Sequence, residues 1–147
     1  MSSWRDNASQ EAQNDLDDLF SVSLDAASAL LEKNKEFYPF AVSLSTEGEI
    51  SLIAADTGTE FPDSESLISE LKLGLQSDES SIRAAALVAD VLIYQGESSA
   101  VRVSLEHREG IALELVAPYS LQGLLKKKVQ WGDLSAASGE HFVWGAE

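Results

Sequence analysis

The sequence predicts an α+β protein with an antiparallel sheet of about five strands, in the order α-β-β-α-β-β-β-(α). Three observations predict it. Apolar residues recur at helical spacing from Asn14 to Lys33, period-two alternation recurs after Pro39, and short turns bearing Gly48 and Gly110 join alternating segments. Strands joined by tight turns pair antiparallel, and amphipathic helices then cover one face of their sheet.

The first helix carries Leu16, Leu19, Phe20, Leu24, Ala27, Leu30 and Leu31 at steps of three and four. Asp15, Asp17, Asp18, Asp25 and Glu32 mostly take its other faces. Early aspartates and the late Lys33 and Lys35 oppose the helix dipole at each end. Residues 1–11 are polar and aperiodic, so they read as a flexible tail, with Trp4 an odd residue to leave in water.

Pro39 stops helical continuation. Phe40, Val42 and Leu44 then alternate with Ala41, Ser43 and Ser45, and Ile50, Leu52 and Ala54 resume the pattern beyond the Thr46–Glu49 turn, which makes a hairpin. A second helix begins at a cap on Asp63 or Ser64, buries Leu67, Ile68, Leu71 and Leu75, and ends near Gln76. The stretch Ile82 to Tyr94 is ambiguous, because its alanines favour helix while Val88, Val91, Ile93 and Tyr94 favour strand. A strand from about Ala85 is preferred, since Val101, Val103 and Leu105 alternate after the Gln95-Gly96-Glu97 turn and need a pairing partner. Ile111, Leu113 and Leu115 form the next strand, which Pro118 should end. Leu121, Leu124 and Leu125 suggest a short helix before Lys126, Lys127 and Lys128. Val129 and Trp131 suggest a last short strand within the extension 129–147, whose pattern beyond Ser135 assigns no element. On this plan Ser43, Ser51, Arg102, Ser104, Glu106 and Glu114 lie on a second, partly wet sheet face.

A length of 147 residues suits a single domain that buries enough surface to fold without staples. The 10 basic and 25 acidic residues give a net charge of −15, which argues against nucleic acid and against anionic membrane surfaces as partners. With no cysteine, disulfides and thiolate chemistry are excluded, and no cofactor is expected. The opening Met1-Ser2-Ser3-Trp4-Arg5 lacks the pattern of a signal peptide, so a cytoplasmic protein is expected. The most apolar stretch, 84–93, is interrupted by Asp90 and is shorter than the ~20 residues of a membrane-spanning helix.

Phe37-Tyr38-Pro39-Phe40 before a Glu47-Gly48 turn, Leu105-Glu106-His107-Arg108-Glu109-Gly110, and Pro118-Tyr119 together resemble a group of small uncharacterised bacterial α+β proteins. The resemblance implies a fold and no activity. The element order is also similar to roadblock/LC7 and profilin-like sheets, which implies an interaction module rather than an enzyme.

Candidate chemistry is sparse. His107 and His141 are the two imidazoles available for acid–base work near neutral pH. His107 sits at a strand end beside Glu106 and Glu109, where a partly exposed histidine is the ordinary reading; neither histidine stands in metal-ligand spacing. Asp90 either faces water or, if buried in a central strand, needs a partner such as Arg83 or Arg102. The lysine cluster reads as a solvated helix end before it reads as a phosphate site. No nucleophile elbow or phosphate-binding glycine loop occurs.

Two functions follow. The first is a non-enzymatic protein-interaction or homodimerising module, with Trp4, Trp131 and Trp144 as interface candidates because tryptophan is enriched at binding hot spots. The second is a small-ligand-binding domain or minor enzyme with a pocket between helix one and the sheet, lined by Tyr38, Phe40, Tyr94 and Tyr119 and using His107. A third, a secretion chaperone of the type III kind, would need a long C-terminal helix that the pattern does not show.

Overall fold

The computed structural model describes residues 4–55, 58, 62–93, 96 and 98–145. Helix α1 spans Gln10–Asn34, and its N-terminus is held by Ser9, whose hydroxyl accepts the Ala12 N–H at 3.0 Å. It ends at Lys35, which takes a left-handed conformation at φ 69° and donates its N–H to Leu31 O. The buried row is Ala12, Asp15, Leu16, Leu19, Ser23, Ala27 and Leu31. The tail expected over residues 1–11 is corrected from Trp4 onward: Trp4–Asn7 forms a 3-10 turn, Trp4 packs on the α1-side core, and the Arg5 guanidinium lies 4.5 Å from its ring centroid.

Strands β1 (Phe40–Ser45) and β2 (Ile50–Ala54) form the expected hairpin. Helix α2 (Ser64–Ser77) follows, capped by Asp63, whose carboxylate accepts the Ser66 N–H at 2.7 Å. Asp63 is held below the usual carboxylate range by those hydrogen bonds from Ser66. The ambiguous stretch resolves as one long strand, β3 (Ile82–Ile93), paired on one side with β1 and on the other with β4 (Ser98–His107). Alanines win as strand residues here because they face helices packed closely on both sides of the sheet.

The strand count is corrected from about five to seven. Strand β5 (Ile111–Gln122) runs through Pro118, and β6 (Lys128–Trp131) and β7 (Ser135–Ser138) both pair with it, in the order β2-β1-β3-β4-β5-β6 with β7 beside β6 on β5. Pro118 is tolerated because it lies between Leu113–Val116, paired by β7, and Tyr119–Gln122, paired by β6. Its carbonyl accepts the Gly132 N–H at 2.7 Å on that outer side, and the N and C=O of a strand residue point the same way, so β4 loses no donor. The helix expected from Leu121 to Leu125 is absent: Leu121 belongs to the end of β5, and Leu124 and Leu125 are fully exposed in the turn to β6.

Alternation along the strands divides the core in two. Phe40, Val42, Ala86, Val88, Val101, Val103 and Leu105 pack beneath α1. Ala41, Ala85 and Leu87 point the other way, to Leu71 and Leu75 of α2 and to Phe142 and Val143 near the C-terminus. The second face is therefore covered over much of its area and partly wet elsewhere, which agrees with the expectation for Ser51, Arg102, Ser104 and Glu114 and corrects it for Glu106 and Ser43. Glu106 is fully buried and Ser43 is 8% exposed, while Arg102, Ser104 and Glu114 stay half-buried. No described helix is long and apolar enough to cross a membrane.

Candidate functional site

Three arrangements of ionisable side chains are built by this fold. The first joins α1 to the sheet. Asp15 occupies the buried stripe of α1, one turn before Leu19, and its Oδ2 meets His107 Nε2 at 2.9 Å and Arg83 Nε at 3.0 Å, while Oδ1 accepts from Arg83 at 3.0 Å. The Glu109 N–H donates to His107 Nδ1 at 3.2 Å, which assigns the proton to Nε2 and makes the imidazole the donor to Asp15. Burial pushes the Asp15 carboxyl up, but the hydrogen bonds from Arg83 and His107 and the charge of Arg83 outweigh it and hold the group below its ordinary range. His107 is 2% exposed, so the expectation of a partly exposed imidazole is corrected. With every ring nitrogen engaged and no surface of its own, it fastens helix to strand.

The second arrangement fastens the C-terminal segment. Glu106 Oε1 accepts the N–H groups of Phe142 at 2.8 Å and Val143 at 2.7 Å, and Oε2 accepts from Trp144 N–H at 3.3 Å and His141 Nδ1 at 2.6 Å. Gln76 donates to Phe142 O, and the Trp144 indole donates to Glu79 O. A buried carboxylate is thus satisfied by three backbone amides together with one imidazole, with no Lys or Arg among the partners described.

The third is a cleft of about 760 Å³ where the C-terminal end of α1 meets the β1–β2 hairpin, lined by Leu30, Phe37, Tyr38, Phe40, Leu52 and Asp90 among others. Tyr38 and Leu52, 56% and 58% exposed, form its open side. Asp90 is half-buried on the α1 side of β3, and its Oδ1 accepts the Tyr119 hydroxyl at 2.7 Å across β4. Burial raises the Asp90 carboxyl above its ordinary range, opposed by Tyr119 and by the Phe37 N–H, and assisted by Glu36. Burial and Asp90 also push the Tyr119 hydroxyl up, which keeps it a donor.

The pocket expected from sequence is therefore brought together in part. Tyr38 and Phe40 line the cleft, Tyr119 reaches it through Asp90, and Tyr94 lies outside the described residues. His107 is not in it. It pairs with Ala84, and six residues of strand separate Ala84 from Asp90, about 20 Å at ~3.3 Å per residue. Neither Arg83 nor Arg102 partners Asp90, because Arg83 is engaged by Asp15 and Arg102 faces Glu114 on the other side of the sheet. Of the tryptophans, Trp4 and Trp144 pack on the chain's own two cores, whereas Trp131 is 39% exposed and meets Tyr119 edge-on at 6.2 Å.

Sequence reasoning missed Asp15 and Glu106. Asp15 carries a readable signal, since it stands three residues after Ala12 and four before Leu19 on the buried stripe. Glu106 carries none, because its donors come from residues 35 to 38 positions away. Comparison with protein-family models, curated proteins and solved structures finds no match to this chain.

Proposed function

We propose that the chain is a protein-interaction module of the cytoplasm that takes an extended, basic segment of a partner protein along the free side of β2. One observation carries this reading: β2 is an edge strand, paired among the described residues with β1 alone, and it exposes Ile50 and Leu52 directly beside the cleft. Edge strands are ordinarily blunted by charge, proline or cover, and an apolar edge is a template for strand addition. The net charge of −15 selects the occupant. It draws a basic segment and opposes edge-to-edge pairing of two copies.

The test is calorimetric titration with an octapeptide of alternating valine and lysine, beside a version N-methylated at alternate residues. Binding should be lost on N-methylation and in Leu52→Asp, with the thermal midpoint of the variant unchanged. Equal binding of both peptides would exclude strand addition, and a stable dimer by light scattering at low salt would favour self-pairing. The cleft volume also favours a second reading, a small-ligand-binding domain, since pockets of roughly 300–1,000 Å³ hold small molecules.

A further inference from the structure

From the chemistry of the cleft we infer that it takes an alkylammonium group, presented by a lysine of the docked segment, with the ammonium on Asp90 and the methylene stem between Phe37, Phe40 and Leu52. The inference rests on the docking reading for its source and on the cleft alone for its chemistry.

Asp90 is a half-buried carboxylate in an apolar, aromatic setting, and among the described residues neither it nor Glu36 forms an ion pair with any Lys, Arg or His. An ionised carboxylate offers about four acceptor positions, and among the described residues its donors are the Tyr119 hydroxyl and the Phe37 N–H, which leaves capacity unused. A buried charge with spare acceptors and no counter-ion is stabilised by a cation that arrives with an apolar stem, because the stem covers the walls while the head reaches the carboxylate. The Phe37 and Phe40 rings, 5.5 Å apart and tilted by 57°, add aromatic surface suited to a cation. Oδ1 already accepts the Tyr119 hydroxyl, so an arriving cation shares the carboxylate with a donor in place and does not meet both oxygens unoccupied. That geometry suits the point charge of an ammonium better than the two-pronged fork of a guanidinium.

The test is an amide-resolved NMR titration of the full chain at pH 7 with n-hexylamine, n-hexanol and n-hexylguanidinium. Hexylamine should perturb Phe37, Tyr38, Leu52 and Asp90 at a concentration at least about tenfold below that of hexanol, and Asp90→Asn should erase this preference while leaving the hexanol response in place. Equal responses to amine and alcohol, or amine shifts spread over the acidic surface and indifferent to Asp90→Asn, would overturn the inference. The valine–lysine octapeptide is then compared with one carrying norleucine at each lysine. Equal binding of the two keeps strand docking and discards the ammonium site; hexylamine binding without octapeptide binding keeps the ammonium site and discards docking.

Discussion

The carboxylate of Glu106 on β4 accepts the backbone N–H of Val143 at 2.7 Å, across 37 residues of chain. With the Phe142 N–H on the same oxygen and His141 on the other, this single side chain fixes the segment that completes the second core. Removing it leaves buried amides without acceptors, and each such group costs about 1–3 kcal/mol. Glu106→Ala should therefore lower unfolding stability by about 2–4 kcal/mol, with Glu106→Gln between it and wild type because one acceptor oxygen survives. Urea denaturation followed by tryptophan fluorescence reads both, and a loss in Glu106→Ala below about 0.5 kcal/mol would contradict the assignment.

Asp15 sets a pH dependence. Its folded-state value lies below the ordinary 3.8, so its contribution is fully present above that value and is lost as pH falls through the folded one. Asp15→Asn also strips the Arg83 guanidinium of its carboxylate and should cost about 2–3 kcal/mol at pH 7. The urea midpoints of variant and wild type should stay apart above pH 3.8 and draw together as pH falls below it. A difference that stays constant over this range would show that the pair does not act through ionisation.

Most of the fold is legible in the sequence, and the losses have physical causes. Period-two alternation located β1, β4 and β5, which bury residues on the sheet, and also β2, whose Ile50, Leu52 and Ala54 alternate although all three are exposed, whereas β7 is four small exposed residues with no pattern to read. Helix α1 is legible from its leucines, yet its functional face is not, because Asp15 looks like a dipole-opposing first-turn acid until Arg83 and His107 are seen beneath it. The wet-face expectation for Glu106 had the correct strand parity and failed on what lies above the strand. Strand parity is a local property, and cover by a distant segment is not. Of the cleft, Tyr38 and Phe40 are legible as aromatics at an element boundary, and the turns at Gly96 and Gly110 imply the β3-β4-β5 meander, but neither fixes the diagonal reach of Tyr119 across β4 to Asp90.

Ser23 offers a test of packing. It is fully buried in α1, and among the described residues its hydroxyl has no hydrogen-bond partner. A buried hydroxyl without a partner is a desolvation cost with no return, and alanine removes the oxygen while raising helix propensity. Ser23→Ala should raise stability by about 1 kcal/mol, read as a higher urea midpoint at unchanged slope. A lower midpoint would mean that the hydroxyl is satisfied in solution.

Asp90 should behave in the opposite sense to Asp15. Its folded-state value is raised above the ordinary 3.8 by burial, so ionisation costs stability at neutral pH, and the cost disappears once pH falls below the unfolded value and both states are protonated. Asp90→Asn keeps an acceptor for the Tyr119 hydroxyl and removes the charge. The variant should be more stable than wild type at pH 7, by less than about 1 kcal/mol because solvent screens this half-buried site, and the two should converge towards pH 4. The tolerance of a destabilising carboxylate at a cleft wall is what a binding position would require, since a bound cation offsets the cost that the free protein carries. Denaturation at pH 7 and pH 4, with and without hexylamine at a concentration where hexanol has no effect, separates the possibilities: the amine should raise the wild-type midpoint at pH 7, leave Asp90→Asn at its own value, and raise the wild-type midpoint less at pH 4 than at pH 7.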